Sequence, residues 1–295
     1  MVFNNTDEAK EYVVSVTNKT KSIEEVNSAI CYYQKMANNS HDDVSRNLWL
    51  TELDKVKQWK HSDDFKNGNY PQGIDELILE LIEWRAVVYA FQNVETKRNS
   101  FKESGFYAQW YVGAIYGIFS IFGKLLSKDG RDSSLRKLWN NVSPIMLKEG
   151  ACTKLEMDCI NAALDFKNGR FTNENSQAML YRNKLISHNE AMPVVEWDEV
   201  DKDFAFLIRM WSLLVSWSSF GLGEPFRTGE QAFLGIESMF DFSEINTLKK
   251  KRQEYLKMAV DWSKSYAHTG EIDSGRGAFS LLHVNVRSAH IYDEE

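Results

Sequence analysis

The densest set of chemically capable side chains is the stretch Tyr181-Arg-Asn-Lys-Leu-Ile-Ser-His188-Asn-Glu190. A guanidinium, a carboxamide, an ammonium and an imidazole fall here within seven residues. Arginine stays charged and offers phosphate oxygens a planar fork of donors. Imidazole, with an ordinary pKa of about 6.5, exchanges protons at neutral pH. Such a set can cleave RNA without a metal. One group takes the proton of a ribose 2′-hydroxyl or gives one to the leaving 5′-oxygen, while the cation offsets the extra negative charge on phosphorus. On a regular α-helix Arg182 and His188 stand about 120° apart around the axis with about 9 Å of rise, whereas Lys184 and His188 share a face. Convergence of Arg182 and His188 therefore needs an irregular turn, or a two-fold axis that brings two copies to one cleft. The alternative is structural: a salt-bridged arginine and a capping or packed histidine near a helix end.

Other constellations are weaker. Gly117 and Gly123-Lys124 are separated by five residues where a phosphate loop needs four, and Leu125 stands where Ser or Thr would bind magnesium. The histidines (His41, His61, His188, His268, His283 and His290) form no His-Glu-x-x-His pattern, and no ligand spacing links them to cysteine or acids, so neither metal nor cofactor is expected. Glu76, Glu80 and Glu83 lie on one helix face, which reads as solvated surface rather than a catalytic pair. Serine and cysteine nucleophile signatures are absent. Lys249-Lys-Lys-Arg252 could touch RNA phosphates, although a solvated helix face is the commoner meaning of such a run.

Helices must position these residues. Thr6-Asp-Glu reads as a helix start, Ser22-Ile-Glu-Glu25 as a capping box, and Ser40 to Lys60 carries Val44, Leu48, Leu53 or Trp49, Val56 and Trp59 at helical spacing. His61 to Gly73 holds Pro, Gly and Asn and is the clearest boundary of the first half. Helices are then predicted from Ile74 to about Arg98, over 104–127, over Leu135–Lys148 with an interruption at Pro144, and over Thr153–Lys167 with Asn168-Gly169 as C-cap. Asn173 or Asn175 caps the next, which carries the Arg182 stretch, and Asp198 opens a strongly apolar helix to Phe220. Ser243 to Tyr266 reads as an exposed helix. Phe279 to Tyr292 alternates enough for a short strand or a docked tail.

Arg182-Asn183-x4-His188 resembles the Arg-x4–6-His signature of the HEPN superfamily, in the variant with Asn directly after Arg. The setting is similar too. A long aromatic helix ending Phe122-Gly-Lys124, a variable middle, Tyr-Arg-Asn-Lys-x3-His and a further apolar helix resemble HEPN proteins of the abortive-infection type over roughly residues 74 to 220. The resemblance implies Arg182 and His188 as the catalytic pair, Asn183 as a positioning residue, and an antiparallel helical bundle that dimerises around a composite cleft. It also implies metal-independent endoribonuclease activity, often in a toxin or antiviral effector restrained by an antitoxin or regulatory protein. Lys184 is the candidate substrate-binding cation. Family members modified on tyrosine carry that residue two positions after the histidine; here Glu190 stands there. A catalytically silent HEPN-fold adaptor is the competing expectation.

Composition agrees with helices. Of 295 residues 43% are hydrophobic and 26% charged, with only four prolines, and neither Gly nor Pro occurs in the first 67 residues, too little punctuation for a sandwich or barrel. The net charge of −7 argues against a broad nucleic-acid-coating surface but allows a local site for one RNA strand. Cys31, Cys152 and Cys159 lack Cys-x-x-Cys spacing and read as reduced thiols. The opening residues show neither a basic nor an apolar leader region, so a cytoplasmic protein is expected. Ser104 to Gly123 is uncharged and about as long as a membrane span, but its Gly, Ser, Tyr and Gln109 favour a buried central helix over a membrane one. The expected organisation is all-α: a helical N-terminal region over 1–70, a HEPN-like bundle over 71–222, and a C-terminal helix with tail over 223–295.

Overall fold

The computed structural model describes residues 3–17, 23–68, 73–95, 101–187, 194–218 and 232–273. It is all-α. Among the described residues no strand forms, and a single bridge pairs Ser265 with Ile272. The proposed strand or tail at Phe279–Tyr292, the capping Ser22 and the closing Pro193 lie outside the described residues. Two compact units emerge, the larger from residues up to Thr17 together with those from Ile74 onward, the smaller from the intervening segment through Gly73. The first helix, which the sequence groups with 1–70, thus belongs to the larger unit, and the helix beyond residue 223 belongs to that same unit.

The smaller unit is a pair of helices, α2 (Ile23–Asn39) and α3 (Asp43–His61), followed by the short α4 (Asp63–Asn67). Asp42 caps α3 by accepting from the Ser45 amide at 2.8 Å. Tyr33 stacks on Trp49, and Leu53 is buried. Val44 and Leu48, which share the expected apolar stripe, are exposed. The stripe is wider than the contact two helices can cover.

In the larger unit α1 (Thr6–Thr17), α5 (Ile74–Gln92), α6 (Gly105–Leu125), α7 (Leu135–Lys148), α8 (Lys154–Ala163), α9 (Gln177–Tyr181), α10 (Trp197–Ser218) and α11 (Phe242–Lys264) share one core. Helix α5 packs on α6 and α11, and α10 packs on α11, α1, α7 and α9. Nearly every residue of α10 from Val200 to Val215 is buried, so this helix is the axis of the unit. Pro144 lies inside α7, which runs through it without the expected interruption. Burial of Trp139, Val142 and Met146 on both sides of the proline offsets the lost hydrogen bond. Helix α6 starts at its Ser104 cap and is buried only in its second half; Phe106, Val112 and Tyr116 are exposed, so it is not enclosed all round. Among the described residues no helix is long and apolar enough to cross a membrane.

Helix α11 is also not the exposed helix its charge suggested. A capping box between Asp241 and Glu244 starts it, and Leu248, Tyr255, Leu256 and Ala259 enter the core. Arg252, the last residue of the basic run, is fully buried and donates twice to Glu83, at 2.9 and 2.6 Å. Two more buried guanidinium–carboxylate pairs tie α10 to its neighbours. Arg85 donates to Asp201 at 3.0 and 2.7 Å and Arg209 to Glu156 at 2.7 and 3.1 Å.

Candidate functional site

The site begins where α8 ends. Thr153 caps this helix, which stops at Ala163, four residues short of the Lys167 end expected from sequence. Asp165 takes over: its Oδ1 accepts from the amides of Lys167 at 2.9 Å and Asn168 at 2.8 Å, and these donors hold its carboxyl below the ordinary range. Gly169 then folds back onto the helix end. A Cβ there would sit 2.4 Å from the Asp165 carbonyl oxygen and 2.6 Å from that of Ala163, contacts no side chain survives. Asn168-Gly169 is therefore a close backbone approach rather than a C-cap. Phe171 turns inward against Phe122 and Phe206, while Phe166 is left outside, 57% exposed.

Asp203 of α10 fastens the next segment. This carboxylate, 2% exposed, accepts from Ser176 Oγ at 2.6 Å, from Arg170 Nε at 2.8 Å and from the Ala178 amide. Burial pushes its carboxyl up, and Ser176 and Arg170 pull it down. Ser176 in turn caps α9 by accepting from the Met179 amide at 3.0 Å. The cap is thus Ser176, not Asn173 or Asn175. Asn175 instead donates to the Gly169 carbonyl at 3.0 Å, and Asn173 accepts from Asn183.

Arg182 opens a π-helical segment, Arg182–Ser187, directly after α9. Its stem lies across α6 at Gly123, where a Cβ would stand 2.9 Å from Arg182 Nε and 3.1 Å from its Cγ. Only a residue without a side chain leaves this path open. Arg182 Nη1 donates to Asn183 Oδ1 at 2.7 Å, and Asn183 passes the chain on to Asn173. Among the described residues no carboxylate pairs with Arg182. The guanidinium borders a cleft of about 510 Å³ whose lining includes Lys128, Phe166, Lys167, Thr172, Asn173, Glu174 and Asn183. Three cations thus face it against one carboxylate, in a chain whose net charge is −7. This local excess favours an anionic guest. The buried Thr172 hydroxyl, also at the cleft, has no hydrogen-bond partner among the described residues.

Of the residues singled out from sequence, Arg182 and Asn183 come together at the cleft. Lys184 is half-buried and is not among the residues lining it. His188 lies outside the described residues. The turn that carries Arg182 is irregular, and wide π turns occur frequently at functional sites. No family model, curated protein or solved structure matches the chain.

Lys128, Phe166, Lys167 and Thr172 were not legible as site residues. The signal that could have found them is Asp165 followed by Asn168-Gly169, a turn pattern that ends the helix early and sends Phe166 outward. Elsewhere the reactive groups are muted. Burial pushes the Cys152 thiol up to about 11. Among the described residues no three of His, Cys, Asp and Glu converge as a ligand set.

Proposed function

We propose that this chain is a metal-independent endoribonuclease of the HEPN type that binds the scissile phosphate at Arg182. The observation that carries the reading is a guanidinium held over Gly123 at a cleft lined by three cations and one carboxylate, with no carboxylate paired to it among the described residues. A structural arginine is paired; this one keeps donors for a phosphate. Asn183 orients it through the 2.7 Å hydrogen bond to Nη1.

In the reaction the ribose 2′-oxygen attacks phosphorus, the bond to the 5′-oxygen breaks, and the products are a 2′,3′-cyclic phosphate and a 5′-hydroxyl. His188 moves the proton, taking it from the 2′-hydroxyl or giving it to the leaving 5′-oxygen. Arg182 balances the charge that gathers on the equatorial oxygens. A second copy of the chain completes the cleft, and a toxin or antiviral role under an antitoxin or regulatory partner fits an enzyme of this kind.

The test is incubation of the purified protein with total RNA in the presence of EDTA, with mapping of the cut ends. Cyclic phosphate ends, lost by at least about a hundredfold in Arg182→Ala and in His188→Ala at unchanged helix content, are the expected result. Cleavage undiminished from wild type in both variants overturns the assignment. A folded wild-type protein that cuts no RNA leaves the adaptor reading.

A further inference from the structure

Three phenylalanines stand exposed among the described residues, Phe106, Phe166 and Phe242, and of these Phe166 borders the cleft. A phenylalanine normally gains by burial, yet this one is 57% exposed on a turn that is tightly held. Asp165 Oδ1 fixes the turn by accepting from two backbone amides, Gly169 packs against the helix end, and Arg136 donates to the carbonyl of Leu164 from within. Arg136 is itself buried, with its guanidinium carbon 5.1 Å from the Phe166 ring centre. Lys128 Nζ stands 4.8 Å from the same centre and belongs to the cleft lining. The ring is therefore held in place by its backbone, flanked by two cations, and shares one cleft with Arg182.

An exposed ring beside cations is the element from which single-strand nucleic-acid sites are built. Every base has a π-face that stacks on it, and the neighbouring cations take the backbone phosphates. We propose that Phe166 is the stacking platform for one unpaired base of the bound RNA, with Lys128 and Lys167 holding the phosphate that flanks it. This rests on the ribonuclease reading for the identity of the strand and adds a base subsite to the phosphate subsite at Arg182. The base displaces the Lys128 ammonium from the ring, and that cation moves to phosphate. Stacking is tolerant of base identity, so the subsite selects single strands over duplexes rather than one sequence over another.

The experiment measures binding apart from cleavage, using a 2′-O-methyl oligonucleotide of mixed sequence that lacks the attacking hydroxyl. Fluorescence anisotropy should show Phe166→Ala binding about tenfold more weakly than wild type, with Phe166→Trp restoring the affinity. A duplex of the same sequence should bind wild type no better than it binds Phe166→Ala. An abasic residue walked along the strand should reproduce the loss at one position in wild type, with no further loss at that position in Phe166→Ala. Equal affinity of wild type and Phe166→Ala for the single strand, or no measurable binding by wild type, overturns the proposal. Failure of the ribonuclease reading looks different: the oligonucleotide binds with the Phe166 dependence intact, and the corresponding all-ribose strand stays uncut.

Discussion

Arg85 and Arg182 carry the same guanidinium on the same unit of the fold and are treated in opposite ways. Arg85 is 2% exposed, bonds Asp201 through two nitrogens, and lies over the rings of Trp197 at 4.3 Å and Tyr255 at 5.0 Å. Tyr255 completes the set by donating to the same carboxylate at 2.7 Å. Among the described residues Arg182 bonds only a carboxamide, with a glycine under its stem and an open cleft beside it. A charge taken out of water must be neutralised and fully bonded, so Arg85 is committed to packing. A charge left at a half-buried rim can still be neutralised by a guest. The lesson is that the partner, not the residue type, separates a structural arginine from an available one.

The widest break in this comparison comes from removing the partner on the committed side. Asp201→Ala leaves Arg85 buried beside aromatic rings without its carboxylate, and urea unfolding should show a loss of about 3–5 kcal/mol. Arg182→Ala should change the same measurement by less than about 0.5 kcal/mol while abolishing cleavage. Equal stability losses in the two variants would make Arg182 a structural residue after all.

Asp75 offers the mirror case, a buried acid with no cation among the described residues. It accepts from Trp211 Nε1 at 2.6 Å, and burial raises its carboxyl to about 6. A carboxyl whose pKa is raised by folding favours the native state while protonated. The contribution is complete below about 3.8, its unfolded value, and is lost as pH climbs through about 6. Asp75→Asn keeps an acceptor for Trp211 and cannot ionise. Between pH 4 and pH 8 its stability should improve relative to wild type by about 2.5 kcal/mol, read from urea midpoints at each pH. A constant difference across that range means that Asp75 titrates normally.

A small expected change in stability at Gly123 is the most discriminating. Gly123→Ala replaces a helical glycine by the best helix former, which favours α6 by about 0.5–1 kcal/mol. The new Cβ meets Arg182 Nε at 2.9 Å, the flexible part of a side chain rather than backbone, so the arginine moves and the helix stays. Melting temperature should hold or rise while cleavage falls by about tenfold. A rise in both would show that Arg182 does not need its seat on Gly123.

Much of the helical layout is readable along the chain because its causes are local. Ser104, Asp42 and Thr153 bond amides three residues on, and the apolar spacing of α5 and α10 reports burial directly. Where local signals conflict with distant packing the reading fails. Pro144 does not interrupt α7, Val44 and Leu48 stay exposed, and Arg252 is enclosed with Glu83, 169 positions away. For the site, Arg182 and Asn183 were legible as reactive types in close succession; Phe166, Lys128 and Gly123 were not.

The sequence by itself determined that this protein is built from helices and which short stretch gathers Arg182, Asn183 and Lys184, since period, caps and residue type act over only a few positions. The tertiary structure alone decided what those donors meet. Asp203 reaches from α10 to fasten Ser176 and Arg170, Gly169 folds a turn onto the end of α8, and Gly123 clears a path for Arg182. Residues about forty and sixty positions apart thereby border one cleft. Such contacts are set by the packing of whole helices, and no local pattern encodes them.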